Sequence, residues 1–194
     1  KHFAMVEQEE QRWWIPSAWA TEQTIRELYL KAFEIPVKEA MKTIKYISDD
    51  KGTVSTKTMR ACDNMMTSGW SGIGGLYTGY DYNLMTAVLR NEWGFQGFVI
   101  TDYDQGNGPN DNVAVNRMVR AGVDQHMIDK TLSPGKYTST DTATGVTALR
   151  RAIKDTLYTM ANSAQVNNTA PGAKVYYKMS PWRVAVVAVD VVIA

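Results

Sequence analysis

The sequence contains a single cysteine, Cys62, and only two histidines, His2 and His126. One cysteine excludes an intrachain disulfide and a cysteine-rich zinc site, and two histidines so far apart do not form an HExxH zinc motif. The chain also lacks a large net charge, because 21 basic and 20 acidic residues leave only +1. A nearly neutral chain provides no electrostatic reason to expect a nucleic acid partner.

The sequence also lacks an apolar run that could cross a bilayer, which takes roughly 20 residues. Its most apolar stretch, 184–194, is interrupted by Asp190. We favour a truncated membrane anchor with Trp182 and Arg183 at the interface; the alternative is a β-branched strand or a helix packed on the domain. An anchor implies a location outside the cytoplasm or at the cell surface, whereas the alternative leaves a cytoplasmic location open.

The composition is typical of a folded soluble protein, with 44% hydrophobic and 21% charged residues. Helical and strand patterns alternate along the chain, which predicts a parallel sheet with helical crossovers. We expect helices from Thr24 (with Glu27 in a capping box) through Pro36 to about Lys45, and over 82–93, 111–121 and 145–160. The helix over 82–93 should end at Gly94, and the last helix carries one apolar face that consists of Leu149, Ile153, Thr156, Leu157 and Met160. We expect a polar loop over 48–58 and strands over 61–68, 95–103 and 123–128.

Asp102 is the sharpest candidate for chemistry, because it ends the apolar strand FQGFVITDY. The carboxyl ends of parallel strands are where α/β enzymes place catalytic groups. An aspartate at this position can also cap the next helix or begin a turn. The pattern by itself leaves both interpretations open. The adjacent pair Lys1 and His2 could bind hydroxyl groups, although a terminal pair of this kind is often without function.

Three segments of the chain resemble glycoside hydrolase family 3, the β-glucosidase family. The segment at Leu89–Tyr103 reads LRNEWGFQGFVITDY and resembles the family's nucleophile segment. The segment at Lys1–Arg12 reads KHFAMVEQEEQR and resembles the family's Lys-His-Phe segment. The segment at Thr21–Ala40 reads TEQTIRELYLKAFEIPVKEA and resembles the helix that follows it in the family.

The resemblance implies a role for individual residues. Asp102 matches the catalytic nucleophile, and Lys1 and His2 match the pair that binds the sugar. Met66, Trp70 and Tyr103 are the further substrate-binding candidates that the resemblance implies. The block around Met66 departs from the family's Met-Ser-Ser-Phe-Asn pattern, because it continues as Thr67-Ser68-Gly69-Trp70.

The resemblance also implies a fold and a partner. It predicts the C-terminal portion of a (β/α)8 TIM-type barrel over residues 1–162, with a linker at 163–180 and the apolar tail at 181–194. A complete barrel needs eight units and about 250 residues. We therefore expect a second chain or a missing segment to complete the barrel and to supply the acid/base, since half a barrel leaves an open parallel edge.

The expected function is that of a retaining exo-acting β-glycosidase, most simply a β-glucosidase acting on an oligosaccharide or β-glucoside. No cofactor or metal is required for this mechanism. The alternatives are a β-xylosidase or another glycosidase of the same family, or a non-catalytic sugar-binding protein on the same barrel. The altered Gly69-Trp70 block supports the last alternative, and the intact Asp102 argues against it.

Overall fold

The computed structural model describes residues 1–6, 10, 17–69, 72–102, 112–127, 135–167 and 178–193. The helices are α1 (Glu22–Thr24), the π-helix Ile25–Tyr29, α2 (Lys31–Lys38), the 3-10 turn Thr78–Tyr80, the π-helix Asn83–Glu92, α3 (Asn112–Ala121), α4 (Ala143–Ala161), α5 (Ala164–Asn167) and α6 (Pro181–Ile193). The strands are β1 (Ser17–Ala18), β2 (Met41–Ile47), β3 (Val54–Arg60), β4 (Asn64–Met66), β5 (Gly72–Ile73), β6 (Leu76–Tyr77) and β7 (Phe98–Ile100).

Four parallel segments form the centre of the molecule. Strands β4 and β7 pair in parallel. A parallel bridge from Phe3 to Thr67 adds the N-terminal segment on one side, and a parallel bridge from Ile100 to Gln125 adds the last segment on the other side. The segments therefore lie in chain order, with helices in the intervening sequence. This arrangement confirms the expected mixed α/β architecture and the parallel pairing.

The two faces of this sheet are buried to different extents. On one face Phe3, Met65 and Val99 are at most 5% exposed and pack against the helices. The Phe3 ring makes edge-to-face contacts with Phe33 and Trp93 at centroid distances of 5.2 and 5.7 Å. On the other face the side chains are only half-buried; they are Met66, Phe98 and Ile100. An apolar run such as that of β7 is typical of a parallel strand covered on both faces, but this chain covers only one face of β7.

The region after α2 differs from the predicted helix and polar loop. The helix continues through Pro36 but ends at Lys38, and β2 begins at Met41. Strands β2 and β3 form an antiparallel hairpin in which Met41 pairs with Arg60 and Ile47 with Val54. Most side chains of this hairpin are exposed. The period-two alternation of residues such as Ile44 and Tyr46 was the signal that the helical interpretation overlooked.

The helix termini correct one prediction and confirm another. The first helix begins at Glu22 because Thr21 is its N-cap, and the Thr21 hydroxyl accepts a hydrogen bond from the Thr24 backbone N–H. The predicted capping box at Thr24 is therefore wrong, because the helix begins about one turn earlier. Gly94 follows the Asn83–Glu92 helix with φ of 71°, as predicted for a glycine that ends a helix.

Helix α4 spans the predicted region but turns a different face inward. Its buried residues are Gly145, Ala152 and Asp155. The apolar side chains expected in the core are largely exposed, with Ile153 at 51% and Leu157 at 57%. Of the strand expected over 123–128, the described residues 123–127 form a single bridge at Gln125, beside this exposed face.

The C-terminal tail forms helix α6, so the strand interpretation is wrong. None of its side chains is buried, and the helix is therefore not packed on the sheet. Its 13 residues extend about 20 Å. Among the described residues, no helix combines the length and the apolar character that crossing a membrane requires.

Candidate active site

Asp102 lies at the carboxyl end of the parallel sheet, two residues after β7, and is 8% exposed. The residue before it, Thr101, is fully buried and is held by the last parallel segment. The Thr101 N–H donates to the Gln125 carbonyl at 3.1 Å, and the Thr101 hydroxyl accepts from the Met127 N–H at 2.9 Å. The backbone directly before Asp102 is thus held by hydrogen bonds to the last parallel segment.

His2 reaches the same carboxylate from the N-terminal segment. Its Nε2 atom lies 3.4 Å from Asp102 Oδ2, and the two side chains are 19% and 11% exposed. The segment is tied to the sheet end because the Phe3 N–H donates to the Met66 carbonyl and the Ser68 N–H donates to the Phe3 carbonyl, both at 2.8 Å. Two residues separated by 100 positions in the sequence are therefore brought into contact.

The other predicted site residues have different outcomes. Met66 pairs with Ile100 in the parallel ladder and is half-buried on the same sheet face as Asp102. Lys1 adjoins His2 and is exposed. Trp70 and Tyr103 lie outside the described residues, so their placement remains a prediction.

Gly69 is a site residue that the sequence analysis did not assign. A Cβ atom at this position would lie 2.6 Å from Asp102 Oδ2 and 2.8 Å from Asp102 Cβ. Any side chain would therefore collide with the carboxylate. The departure from the family's pattern at Gly69 is accommodated by direct packing of the backbone against Asp102.

A buried pair of hydroxyl groups holds this backbone in place. The Oγ atoms of Ser68 and Thr78 lie 2.7 Å apart, and both residues are fully buried. The Thr78 hydroxyl also lies within hydrogen-bond distance of the Ser68 carbonyl, at 3.3 Å. These contacts connect the end of β4 to the 3-10 turn that follows β6, and so restrain the position of Gly69.

A second set of residues missed from the sequence lies behind β7. Arg90 and Asp124 form a buried ion pair with an Nη2–Oδ2 distance of 2.7 Å. Burial raises the pKa of Asp124 to about 6, although Arg90 and the Val99 N–H favour its ionised form. In the sequence Arg90 is recognisable only as part of the LRNEWGF segment, and its spacing from Asp124 gives no signal that the two residues pair.

The charged groups of the site fit acid–base and nucleophilic chemistry. In the part of the chain that the structure describes, no three His, Cys, Asp or Glu side chains form a cluster that could hold a metal ion. A carboxylate beside an imidazole at a sheet end can act as a nucleophile or bind hydroxyl groups.

Comparison with known proteins gives several similarities. No family model matches the chain. The chain is 35% identical over 133 residues to a β-glucosidase of Ruminococcus albus, covering 66% of this chain and 12% of that protein. It is 30% identical over 118 residues to an exo-α-(1→6)-L-arabinopyranosidase of Bifidobacterium breve, covering 60% of this chain and 13% of that protein.

Solved structures agree with the sequence relatives. The β-glucosidase of Paenibacillus barengoltzii superposes with a TM-score of 0.61 at 29% identity, over 90% of this chain and 18% of that one. The chain thus spans less than a fifth of the length of the proteins described here. The predicted resemblance is confirmed, because the chain is similar in sequence and in fold to part of several β-glucosidases, one of which is named as a member of glycoside hydrolase family 3.

Proposed function

We propose that this chain forms the nucleophile-bearing part of a retaining β-glycosidase of the β-glucosidase type, with Asp102 as the nucleophile. The observation that carries the proposal is the contact of Asp102 with His2 at the carboxyl end of the parallel sheet. The 35% identity to a β-glucosidase supports the choice of reaction.

The proposed reaction has two steps. A carboxylate oxygen of Asp102 forms a bond to the anomeric carbon while the bond from that carbon to the leaving-group oxygen breaks. An acid supplied by another part of the protein gives the leaving group its proton, and then activates the water that hydrolyses the glycosyl ester. His2 and Lys1 would bind hydroxyl groups of the sugar, and His2 also contacts the Asp102 carboxylate.

The proposal includes completion of a (β/α)8 barrel by residues outside this chain. Two observations support it. The second sheet face, which carries Met66, Phe98 and Ile100, is only half-buried. The apolar face of α4 is exposed beside the last parallel segment at Gln125. A further strand beside Gln125, followed by a helix packed on α4, would cover the exposed edge of the sheet and the apolar face of α4. Additional strands would close the sheet into a barrel, and Met66 and Ile100 would then face the barrel interior.

The identity of the sugar is the least constrained part of the proposal. We place β-glucosides first because the R. albus relative is a β-glucosidase. A second candidate is an α-L-arabinopyranoside, since the B. breve relative carries that name. A β-xyloside is the third candidate, as expected from the family resemblance.

Covalent trapping tests the proposal. The protein, together with any chain that completes it, is incubated with a 2-deoxy-2-fluoro-β-glucoside bearing a good leaving group, and in parallel with the xylo and arabinopyranosyl analogues. Peptide mass spectrometry then locates the sugar. An adduct on Asp102 is the expected result, and the reagent that reacts fastest identifies the substrate class. An adduct on another carboxylate, or none with every analogue, contradicts the nucleophile assignment and favours the sugar-binding alternative.

A further inference from the structure

A buried network of four charged side chains lies on the helix-facing side of β7, behind the strand that leads to Asp102. It consists of Arg90 from the Asn83–Glu92 helix, Asp124 from the last parallel segment, and Arg151 and Asp155 from α4. The side chains of Asp124, Asp155 and Arg90 are 0%, 2% and 7% exposed. The two positive and two negative charges of these side chains balance, which is the condition under which such a cluster is tolerated inside a protein. The exposed Lys154 also approaches Asp155 Oδ1 from the surface, at 3.2 Å.

Asp124 takes the place of a main-chain acceptor beside β7. The Val99 N–H donates to Asp124 Oδ2 at 2.7 Å. In a regular parallel ladder this N–H would donate to the carbonyl of Val123. That carbonyl instead accepts a hydrogen bond from Arg151 at 3.1 Å. Because an unpaired buried N–H is costly, the carboxylate is needed to hold the middle of β7.

Arg90 connects the Asp124 carboxylate to the beginning of β7 and to the beginning of the last parallel segment. Its Nη1 donates to the Gly97 carbonyl at 3.2 Å, directly before β7. Its Nε and Nη2 donate to the Gly122 carbonyl at 3.1 and 2.7 Å, directly before the last parallel segment. One guanidinium thereby fixes the start of β7 relative to its neighbour, as the planar fork of arginine allows.

We propose that Asp124 and Arg90 are positioning residues that hold β7 so that the carboxylate of Asp102 stands opposite His2 in the reactive geometry. This inference rests on the proposed function. Val99 and Asp102 are three residues apart, about 10 Å along an extended chain. A displacement of the strand is therefore transmitted to the carboxylate, and a shift of about 1 Å at a reacting group costs about 100-fold in rate.

The network itself provides a matched control. Arg151 belongs to the same cluster and lies 3.6 Å from Asp124 Oδ1. Its hydrogen bonds run to the carbonyls of Val119 and Val123 rather than to β7. Removal of Arg151 disturbs the buried charge balance, whereas removal of Asp124 also releases the Val99 N–H. A purely structural role predicts similar effects for both residues.

The experiment compares Asp124→Ala, Asp124→Asn and Arg151→Gln with the wild type, each as the full protein at a temperature where it is folded by circular dichroism. The first measurement is amide hydrogen exchange in the peptide that contains residues 98–102. The second is the rate of covalent labelling of Asp102 by the 2-fluoroglycoside, with the affinity of a reversible sugar inhibitor measured beside it. Arg90→Lys replaces Asp124→Ala if the latter does not fold.

We expect Asp124→Ala to speed exchange in this peptide and to slow labelling about 10- to 100-fold with little change in inhibitor affinity. Asp124→Asn, which keeps an acceptor for Val99, recovers part of the rate. Arg151→Gln lowers thermal stability but stays near the wild type in both measurements. The positioning role is refuted if Asp124→Ala labels at the wild-type rate, or if Arg151→Gln slows labelling equally. A wild type that is never labelled instead overturns the proposed function, and the exchange data then show separately whether Asp124 holds β7.

Discussion

His2 Nε2 lies 3.4 Å from Asp102 Oδ2, although exactly 100 positions separate the two residues in the sequence. The contact exists because the N-terminal segment, β4 and β7 are neighbours in one parallel arrangement. Parallel strands bring their carboxyl ends to the same edge of a sheet, so residues from distant segments meet there. The same edge would receive the anomeric carbon of a sugar.

The nucleophile assignment predicts a chemical rescue. Asp102→Gly should lower activity on an aryl β-glucoside by on the order of 10⁴-fold, because the covalent intermediate cannot form. Azide can enter the space left by the carboxylate and attack the anomeric carbon of a substrate with a good leaving group. The expected product is the α-glucosyl azide, identified by NMR. Asp141→Gly, in an exposed bend, is the control and should neither lose activity nor respond to azide.

His2 is expected to contribute through its contact with the nucleophile and with the sugar. His2→Phe removes the ring N–H and should lower kcat/KM by about 10- to 100-fold, the usual effect of losing a hydrogen bond to a charged group. His2→Gln retains an N–H donor and should lose less. His126→Gln is the control, because it changes the other imidazole of the sequence, one residue after the bridge at Gln125. Equal losses at the two histidines would contradict a specific role for His2.

Gly69 should tolerate no side chain. The alanine Cβ of Gly69→Ala would lie 2.6 Å from Asp102 Oδ2, so the carboxylate or the backbone must move. We expect a loss of stability of about 1–3 kcal/mol, as for an overpacked core, and a 10-fold or greater loss of kcat. Gly52→Asn is the control, because nothing lies within 4 Å of a Cβ at Gly52 and asparagine accepts its φ of +83°. Wild-type kcat in Gly69→Ala would show that the packing against Asp102 is not required.

The sequence allowed prediction of the elements whose signals are local. The apolar run of β7, the helix before it and the terminating Gly94 were all recognised. The hairpin of β2 and β3 was not, because Met41–Lys45 contains residues that are compatible with either a helix or a strand. Its long-range pairing with residues 54–60 decides between the two.

The candidate site could be predicted only for the residues that the family resemblance names. Asp102 and His2 could be proposed because the family resemblance assigns them, and the structure places the two side chains 3.4 Å apart. Gly69 could not be predicted, since its importance depends on a distance to a residue 33 positions away. The inward face of α4 was also missed: Asp155 is polar in sequence but buried through its ion pair with Arg90. Pairing of this kind leaves no periodic pattern.

Gly94 offers a test of the backbone alone. Its φ is +71°, and no atom lies within 4 Å of a Cβ built on it. Gly94→Ala should therefore destabilise the protein by about 1 kcal/mol through the left-handed conformation and without a collision. Gly94→Asn should cost less, because asparagine adopts this conformation more readily. Urea denaturation of both variants measures the difference, and a larger loss for asparagine would contradict this explanation.

Asp124 should make stability depend on pH in the opposite sense to an ordinary aspartate. Burial raises its pKa to about 6 in the folded state, from an ordinary value of 3.8, against the opposing effect of the Arg90 and Arg151 charges. Between these values the folded protein holds a proton that the unfolded chain has lost. The contribution of the protonated group is therefore fully present below about pH 4 and is lost as the pH rises through about 6.

Thermal unfolding between pH 4 and pH 8 measures this dependence. Asp124→Asn is uncharged at every pH, so the difference in Tm between the wild type and this variant should change most between pH 4 and 6. Arg151→Gln removes a positive charge 3.6 Å from Asp124 Oδ1, beside the remaining Arg90 and Asp155, and should move the midpoint of the transition to higher pH. A difference in Tm that stays constant across this range would show that Asp124 is ionised throughout, and the carboxylate would then hold the Val99 N–H without any pH dependence.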